Sequence, residues 1–316
     1  MNGGGTLIHE IDHYLNLKSK IQKVDLSALG LPEQSLFILR EDELLAEASG
    51  NKLRKLLPNL KQAALDGIKR VVTFGGAYSN HIAATAAAGQ KFGFETVGFI
   101  RGEELALNWQ KNPTLRQASE CGMKLVFINR TEYRERQHTT YLSRLKERYE
   151  PCVIIPEGGS NELAIQGVAK MTRLLPKQFK VLCTPIGTGG TMAGLLSGAH
   201  YGQQVWGFSA LKGIDFESHL SQYGPGIERT IFSDYHFGGY AKANNELIEF
   251  INNFRVQTGI ALDPVYTGKM MFGLIDFLKK NPEVNAQDIL VIHTGGLQGI
   301  QGFNELNKGL VKITVD

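Results

Sequence analysis

The sequence predicts an α/β fold in which short, mostly parallel strands alternate with longer helices. Three observations predict it. Runs rich in β-branched and aromatic residues recur along the 316 residues, separated by stretches with helical periodicity. Several runs are apolar throughout, as in a sheet covered on both faces. The 36 glycines cluster near the ends of apolar runs, at Gly75-Gly76, Gly158-Gly159, Gly187–Gly190, Gly238-Gly239 and Gly295-Gly296. Tight strand-to-helix turns with backbone open to a ligand have this composition.

In order, Leu36–Arg40, Arg70–Phe74, Thr96–Ile100, Lys124–Ile128, Cys152–Pro156, Val181–Pro185, Val205–Ser209 and Ile289–His293 read as strands. Ile82–Phe92, Thr131–Tyr149, Glu162–Leu174, Thr191–His200, Asn244–Gln257 and Lys269–Lys279 read as helices. This alternation implies βαβ units and parallel sheet. With no repeat, low-complexity tract or Pro/Ser-rich linker, any division comes from the chain crossing between two α/β lobes. Opposite charges spaced three or four apart in Arg130–Glu150 suit a solvated helix face better than an RNA surface.

A hydrophobic fraction of 42% and a charged fraction of 21% are ordinary for a soluble globular protein. The net charge of +3 is small and interleaved, which argues against a nucleic-acid footprint. No apolar run reaches membrane-spanning length, and MNGGGTLIHE lacks the layout of a signal peptide. Cys121, Cys152 and Cys183 are too dispersed for a metal site or disulfide framework. They are expected to be buried thiols in a cytoplasmic protein.

Five clusters carry candidate chemistry. Ala48-Ser49-Gly50 leads into Asn51-Lys52-Leu53-Arg54-Lys55-Leu56. Neighbouring positive charge and burial lower a lysine pKa and favour a nucleophilic amine. On these residues alone, a basic first turn of a surface helix explains the cluster better, and Pro58 is expected to kink that helix or to start another. In Gly75-Gly76-Ala77-Tyr78-Ser79-Asn80-His81 a buried strand runs into an alanine-rich helix whose start would seat a carboxylate. Ser79 or Asn80 serves equally as an N-cap, and His81 as a core histidine or a proton carrier. The loop Gly187-Thr188-Gly189-Gly190-Thr191 has the physics of a phosphate cradle. Met192 breaks the dinucleotide fingerprint and no Lys-Ser/Thr pair makes a Walker loop, so a monophosphate fits better than a plain tight turn. Asp263-Pro264-Val265-Tyr266-Thr267-Gly268-Lys269 and His293-Thr294-Gly295-Gly296 complete the set. Ligands gather at the carboxyl ends of strands in open α/β sheets, so Ser79, Gly189 and Thr294 are candidates to converge.

Taken in order from about Gly50 to Gly296, the five clusters resemble the 1-aminocyclopropane-1-carboxylate (ACC) deaminase and D-cysteine desulfhydrase family of pyridoxal-phosphate (PLP) enzymes. The resemblance implies the tryptophan-synthase-β-like fold (PLP fold type II), with two doubly wound α/β lobes and the site in the cleft. Residues 1–55 and 156–316 would form the larger lobe and 56–155 the smaller. It also implies a homodimer and a small amino-acid substrate. Lys52 is implied to hold PLP and act as base, with the PLP phosphate on Gly187–Thr191 and Lys55. Asn80 would bond the ring oxygen, and Thr294 or Thr267 would meet the pyridine nitrogen. Ser79, Asn80, His81 and Tyr266 would face the substrate, Ser79 and Tyr266 as candidates in catalysis.

ACC deaminases usually carry glutamate where Thr267 stands and leucine where Thr294 stands. A carboxylate keeps the pyridine nitrogen protonated and makes a strong electron sink, whereas a hydroxyl does not. A weaker sink suffices when sulfide leaves Cβ, so the resemblance points to desulfhydration of D-cysteine ahead of ACC deamination. Amino-acid racemisation, with Tyr266 or Ser79 opposite Lys52, and a non-enzymatic ligand-binding relative are the remaining alternatives. The chain is shorter than the family around Gly102–Asn112 and after Gly207, regions expected to border the substrate.

Overall fold

The computed structural model describes residues 3–45 and 50–314, so Ala48 and Ser49 of the small-residue loop lie outside the described residues. In chain order the helices are α1 (Gly3–Asn16), α2 (Asn51–Leu65), α3 (Asn80–Phe92), α4 (Pro113–Glu120), α5 (Arg130–Arg134), α6 (Thr139–Tyr149), α7 (Glu162–Arg173), α8 (Gly190–Gly198), α9 (Phe216–Leu220), α10 (Asn245–Thr258), α11 (Thr267–Lys280) and α12 (Gly299–Leu306). The strands are β1 (Ile21–Asp25), β2 (Ser35–Leu39), β3 (Arg70–Gly75), β4 (Glu95–Arg101), β5 (Lys124–Ile128), β6 (Val153–Ile155), β7 (Val181–Ile186), β8 (Gln204–Ser209), β9 (Glu228–Phe232) and β10 (Ile289–Ile292).

The chain folds as two compact units, one of residues up to Leu17 with Lys52–Gly167, the other of Lys18–Asn51 with residues from Val168 onward. This differs from the expected division, which put residues 1–55 in the larger lobe. The reason is that α1 is tied to the smaller unit. Lys61 pairs with Asp12 at 2.7 Å and Lys91 with Glu10 at 3.2 Å. The buried Arg54 guanidinium donates to the carbonyls of Tyr14 at 3.0 Å and Leu17 at 2.7 Å.

The smaller unit is built on a parallel sheet of order β5-β4-β3-β6. Side chains alternate across it. Val72, Phe74, Val97 and Phe99 pack against Tyr133, Tyr141 and Tyr149, while Ile100 packs with Ile82 and Ala86 of α3. The close approach of α3 is made by small residues. A Cβ on Gly89 would stand 2.3 Å from Thr96 Cγ2.

The larger unit holds a sheet of order β1-β2-β10-β7-β8-β9, parallel except for the β1–β2 pair. All four residues of β10 are fully buried between β2 and β7. Such burial stabilises by roughly 1.5–3 kcal/mol per aliphatic side chain. Phe208 and Phe232 stack at 4.4 Å in the core under α11.

Four sequence expectations are corrected. The strands β1 and β9 were not anticipated; both are sheet edges whose charged, half-exposed residues leave no apolar run. The helix expected over Thr131–Tyr149 is two helices, because Asn129 caps α5 by accepting from Glu132 N at 2.8 Å and α6 starts afresh at Thr139. Cys121 is only half-buried, whereas Cys152 and Cys183 are buried. Finally, α2 continues through Pro58, so no new helix starts there. Buried Leu53, Leu56, Leu57 and Leu60 hold it, and the Arg54 carbonyl that Pro58 cannot serve faces the backbone of Gly167 in α7.

That approach tolerates no side chain. A Cβ at residue 167 would lie 2.1 Å from the Arg54 carbonyl oxygen and 2.7 Å from Pro58 Cγ. Gly167→Ala is therefore expected to cost about 1–3 kcal/mol through overpacking, seen as a lower urea midpoint at unchanged slope.

Candidate active site

In the smaller unit the strand order reverses between β3 and β6, and the chemistry-bearing residues gather where those strands end. Ser79, not Asn80, caps α3: its Oγ accepts from Ile82 N at 3.3 Å. Asn80 opens the helix, half-buried. Gly75 makes the turn possible, since a Cβ there would fall 2.4 Å from Ile82 Cγ1.

His81 is 2% exposed. Thr73 Oγ1 donates to the Ile155 carbonyl at 2.8 Å, so it accepts from His81 Nε2 at 2.7 Å. The ring is thus the Nε2–H tautomer. Its Nδ1 lone pair has no hydrogen-bond partner among the described residues. Burial first, then the charges of Lys52 and Lys55, push its pKa down to about 3. Burial thus favours the neutral ring. Gly159, after β6, exposes backbone against the ring, where a Cβ would lie 3.1 Å from Nδ1.

Lys52 is half-buried near the start of α2, and Lys55 is 2% exposed one turn later. Burial and then the charge of Lys52 hold Lys55 well below the usual lysine range. No carboxylate pairs with Lys55 among the described residues. A buried ammonium without an acid is costly unless an anion arrives.

In the larger unit the order reverses between β7 and β10. Gly187–Gly189 connect β7 to α8. Gly189, at φ 84°, is the cap and makes no side-chain cap bond to α8. Backbone N–H groups at the start of a helix favour an anion. Gly187 admits the Tyr266 ring, since a Cβ there would fall 2.8 Å from Tyr266 Cε1. Thr188 is exposed, while Gly190 and Thr191 are buried.

The same switch point receives the chain from Gly50. Gly50 N donates to the Glu41 carbonyl at 3.0 Å, and Asn51 N to the Thr294 carbonyl at 3.2 Å. Asn51 Nδ2 donates to Thr191 Oγ1 at 2.5 Å. Gly50 adopts φ 89°, and a Cβ there would overlap the Thr294 carbonyl. Asn51 thus bonds both the glycine loop and the end of β10, a role that its sequence position next to Lys52 did not reveal.

Thr267 and Thr294 differ sharply. Thr267 is fully buried, and its hydroxyl donates to Asp263 Oδ1 and accepts from Asp263 N, both at 2.8 Å. The Asp263 carboxylate also receives the N–H groups of Val265, Tyr266 and Thr267. This is a closed helix-start device for α11. The Thr267 hydroxyl is thus engaged by Asp263 on both its donor and acceptor sides. Thr294 stands half-buried just after β10. Its neighbour His293 donates from Nε2 to the Ala261 carbonyl at 2.7 Å and accepts on Nδ1 from Gly295 N at 3.2 Å, which sets the turn.

Sequence reading also missed Tyr240, whose ring centroid lies 6.3 Å from that of Tyr266 in a T-shaped pair. The preceding Gly238-Gly239 was the available signal.

A profile of the family described as "Pyridoxal-phosphate dependent enzyme" matches residues 21–295. A Thermotoga maritima protein named putative 1-aminocyclopropane-1-carboxylate deaminase is 33% identical over 288 residues, 84% of this chain and 90% of that one. An Arabidopsis thaliana protein named bifunctional D-cysteine desulfhydrase/1-aminocyclopropane-1-carboxylate deaminase, mitochondrial, is 31% identical over 299 residues, 86% of this chain and 75% of that one. A crystal structure described as an ACC deaminase homologue superposes with a TM-score of 0.78 at 24% identity, over 98% of this chain and 99% of that one. The fold is therefore the tryptophan-synthase-β-like one. With the family profile spanning both switch points, the chain belongs to the pyridoxal-phosphate dependent enzymes, among relatives named ACC deaminase and D-cysteine desulfhydrase.

Proposed function

We propose that the protein converts D-cysteine and water to pyruvate, sulfide and ammonia. The observation that carries this reading is the pair Thr267 and Thr294: the first hydroxyl is committed to Asp263, so the second is the group proposed to meet the cofactor's ring nitrogen. A hydroxyl there leaves a weak electron sink, which suits loss of sulfide from Cβ.

The residues present fit PLP. Lys55 is a buried lysine with no carboxylate partner among the described residues, and Gly187–Thr191 is a glycine-rich turn at the start of α8. These residues are assigned to the phosphate, Lys52 to the aldehyde carbon and Asn80 to the ring oxygen. Bound PLP supplies an electron sink for the bonds of the substrate's Cα. Lys52 Nζ takes the Cα proton. Ser79 and the first turn of α3 seat the substrate carboxylate. Tyr266, held against Gly187, faces the substrate and orients the departing group. Neutral His81 keeps its ring proton on Nε2, in the hydrogen bond to Thr73.

The second reading, ACC and water to a four-carbon keto acid and ammonia, is favoured by the names of the relatives. A homodimer is proposed on the family resemblance. A cytoplasmic setting is proposed on the three free thiols, and no described helix is long and apolar enough to cross a membrane.

Three measurements check this reading. PLP-saturated protein is expected to release sulfide and pyruvate together from D-cysteine and no keto acid from ACC; keto acid from ACC without D-cysteine activity reverses the order of the two readings. Lys52→Ala is expected to lose both turnover and the visible absorbance of the bound cofactor, and retention of either contradicts the role of Lys52. Thr267→Ala is expected to cost about 1–3 kcal/mol of stability through unsatisfied Asp263 hydrogen bonds, leaving the cofactor spectrum in place. Thr294→Ala should do the reverse, shifting the spectrum at nearly constant unfolding midpoint.

A further inference from the structure

Lys269 is a buried lysine that the reaction does not use. It lies in the first turn of α11, 1% exposed. Its ammonium donates to two main-chain oxygens, those of His236 at 2.8 Å and Gly239 at 2.7 Å. Among the described residues, the opposing charge acting on it is that of Asp263, whose carboxylate is already engaged by the start of α11. Burial pulls the Lys269 pKa down to about 8. Held by two neutral carbonyls, this ammonium is a poor source of stability, and an apolar side chain of similar length would serve the core at least as well.

What it holds is an unusual loop. Phe237, Gly238, Gly239 and Ala241 all adopt positive φ, at 52°, 92°, 116° and 54°. Two of these are not glycine, and such residues persist only where the surroundings fix them. Tyr235 Oη donates to Asp276 at 2.6 Å, and the Phe237 ring packs edge-on to Phe272 at 5.0 Å. A Cβ on Gly273 would fall 2.7 Å from Tyr235 Cγ, so α11 admits the loop closely. Beyond Phe237, Lys269 ties the loop to α11 while Gly238 N donates to His236 Nδ1 at 2.9 Å within the loop, and the next residue after Gly239 is Tyr240, 51% exposed and set edge-on to Tyr266.

We propose that Lys269 is a positioning residue: by clamping the carbonyls of His236 and Gly239 it fixes Tyr240 against Tyr266 and so shapes the substrate side of the site. The part concerning substrate rests on the role given above to Tyr266; the clamp itself does not.

The test compares Lys269→Met with the wild-type holoenzyme. Amide hydrogen exchange over residues 237–241 is expected to accelerate at least tenfold in the variant, while exchange within α10 and β10 stays unchanged. The visible spectrum of bound PLP should persist and kcat/KM should fall at least tenfold. Adding Lys269→Met to Tyr240→Ala should produce no further loss, because the lysine acts through that tyrosine. Wild-type exchange rates in the loop overturn the clamp whatever the substrate proves to be. Losses that multiply in the double variant overturn the route through Tyr240. Should Lys269→Met not fold, Lys269→Gln, whose shorter, neutral amide does not reach both carbonyls, is measured in the same exchange experiment, with faster loop exchange supporting the clamp and unchanged exchange overturning it. Loop acceleration without turnover of D-cysteine or ACC supports the clamp and counts against the substrate reading alone.

Discussion

The hydrogen bonds of Asn51 at the ends of β7 and β10 are the constraint on which the candidate site rests. Asn51 gives its backbone N–H to Thr294 and its side-chain amide to Thr191, so one residue ties the glycine loop to the turn after β10. Gly50 permits this because only glycine accepts its left-handed conformation so close to a carbonyl. The next residue in the chain is Lys52. The covalent chain therefore leaves the larger sheet at its switch point, where ligands of doubly wound sheets are held.

A second theme is basic groups buried without acids. Lys55 and His81 share the smaller unit's switch point with Lys52, and burial disfavours the charged form of each. Lys269 repeats the arrangement in the larger unit. Folding alone gains little from such groups, because each ammonium exchanges water for a weaker shell. They make sense where an anion completes the shell, as assigned for Lys55, or where a fixed direction is needed, as proposed for Lys269. His81 differs from both: as a neutral acceptor it shapes the turn without adding charge.

The same contrast separates the two threonines. Their positions in the sequence are equally suggestive, one after the tyrosine and one after the histidine of a strand end. Only the partners distinguish them. Asp263, four residues before Thr267, captures its hydroxyl and closes the start of α11. Thr294 has no such acid four residues before it, where Leu290 lies buried in β10. A one-dimensional reading sees two hydroxyls, and the fold gives one of them to Asp263.

The alternation of apolar runs and helical periodicity determined the α/β class and eight of the strands, because buried parallel strands must be apolar on both faces. The order of five clusters was enough to indicate the cofactor chemistry and Lys52. Edge strands β1 and β9 escaped because half-exposed strands need no apolar run, and the continuity of α2 through Pro58 escaped because tertiary packing outweighs a local breaker. The tertiary structure alone decided which residues meet: Asn51 with Thr191, Tyr240 with Tyr266, Lys269 with two distant carbonyls, and residues up to Leu17 with the smaller unit. Sequence periodicity reports which face a residue buries, whereas hydrogen bonds between distant segments depend on where the strand order reverses, and strand order is a property of the folded chain.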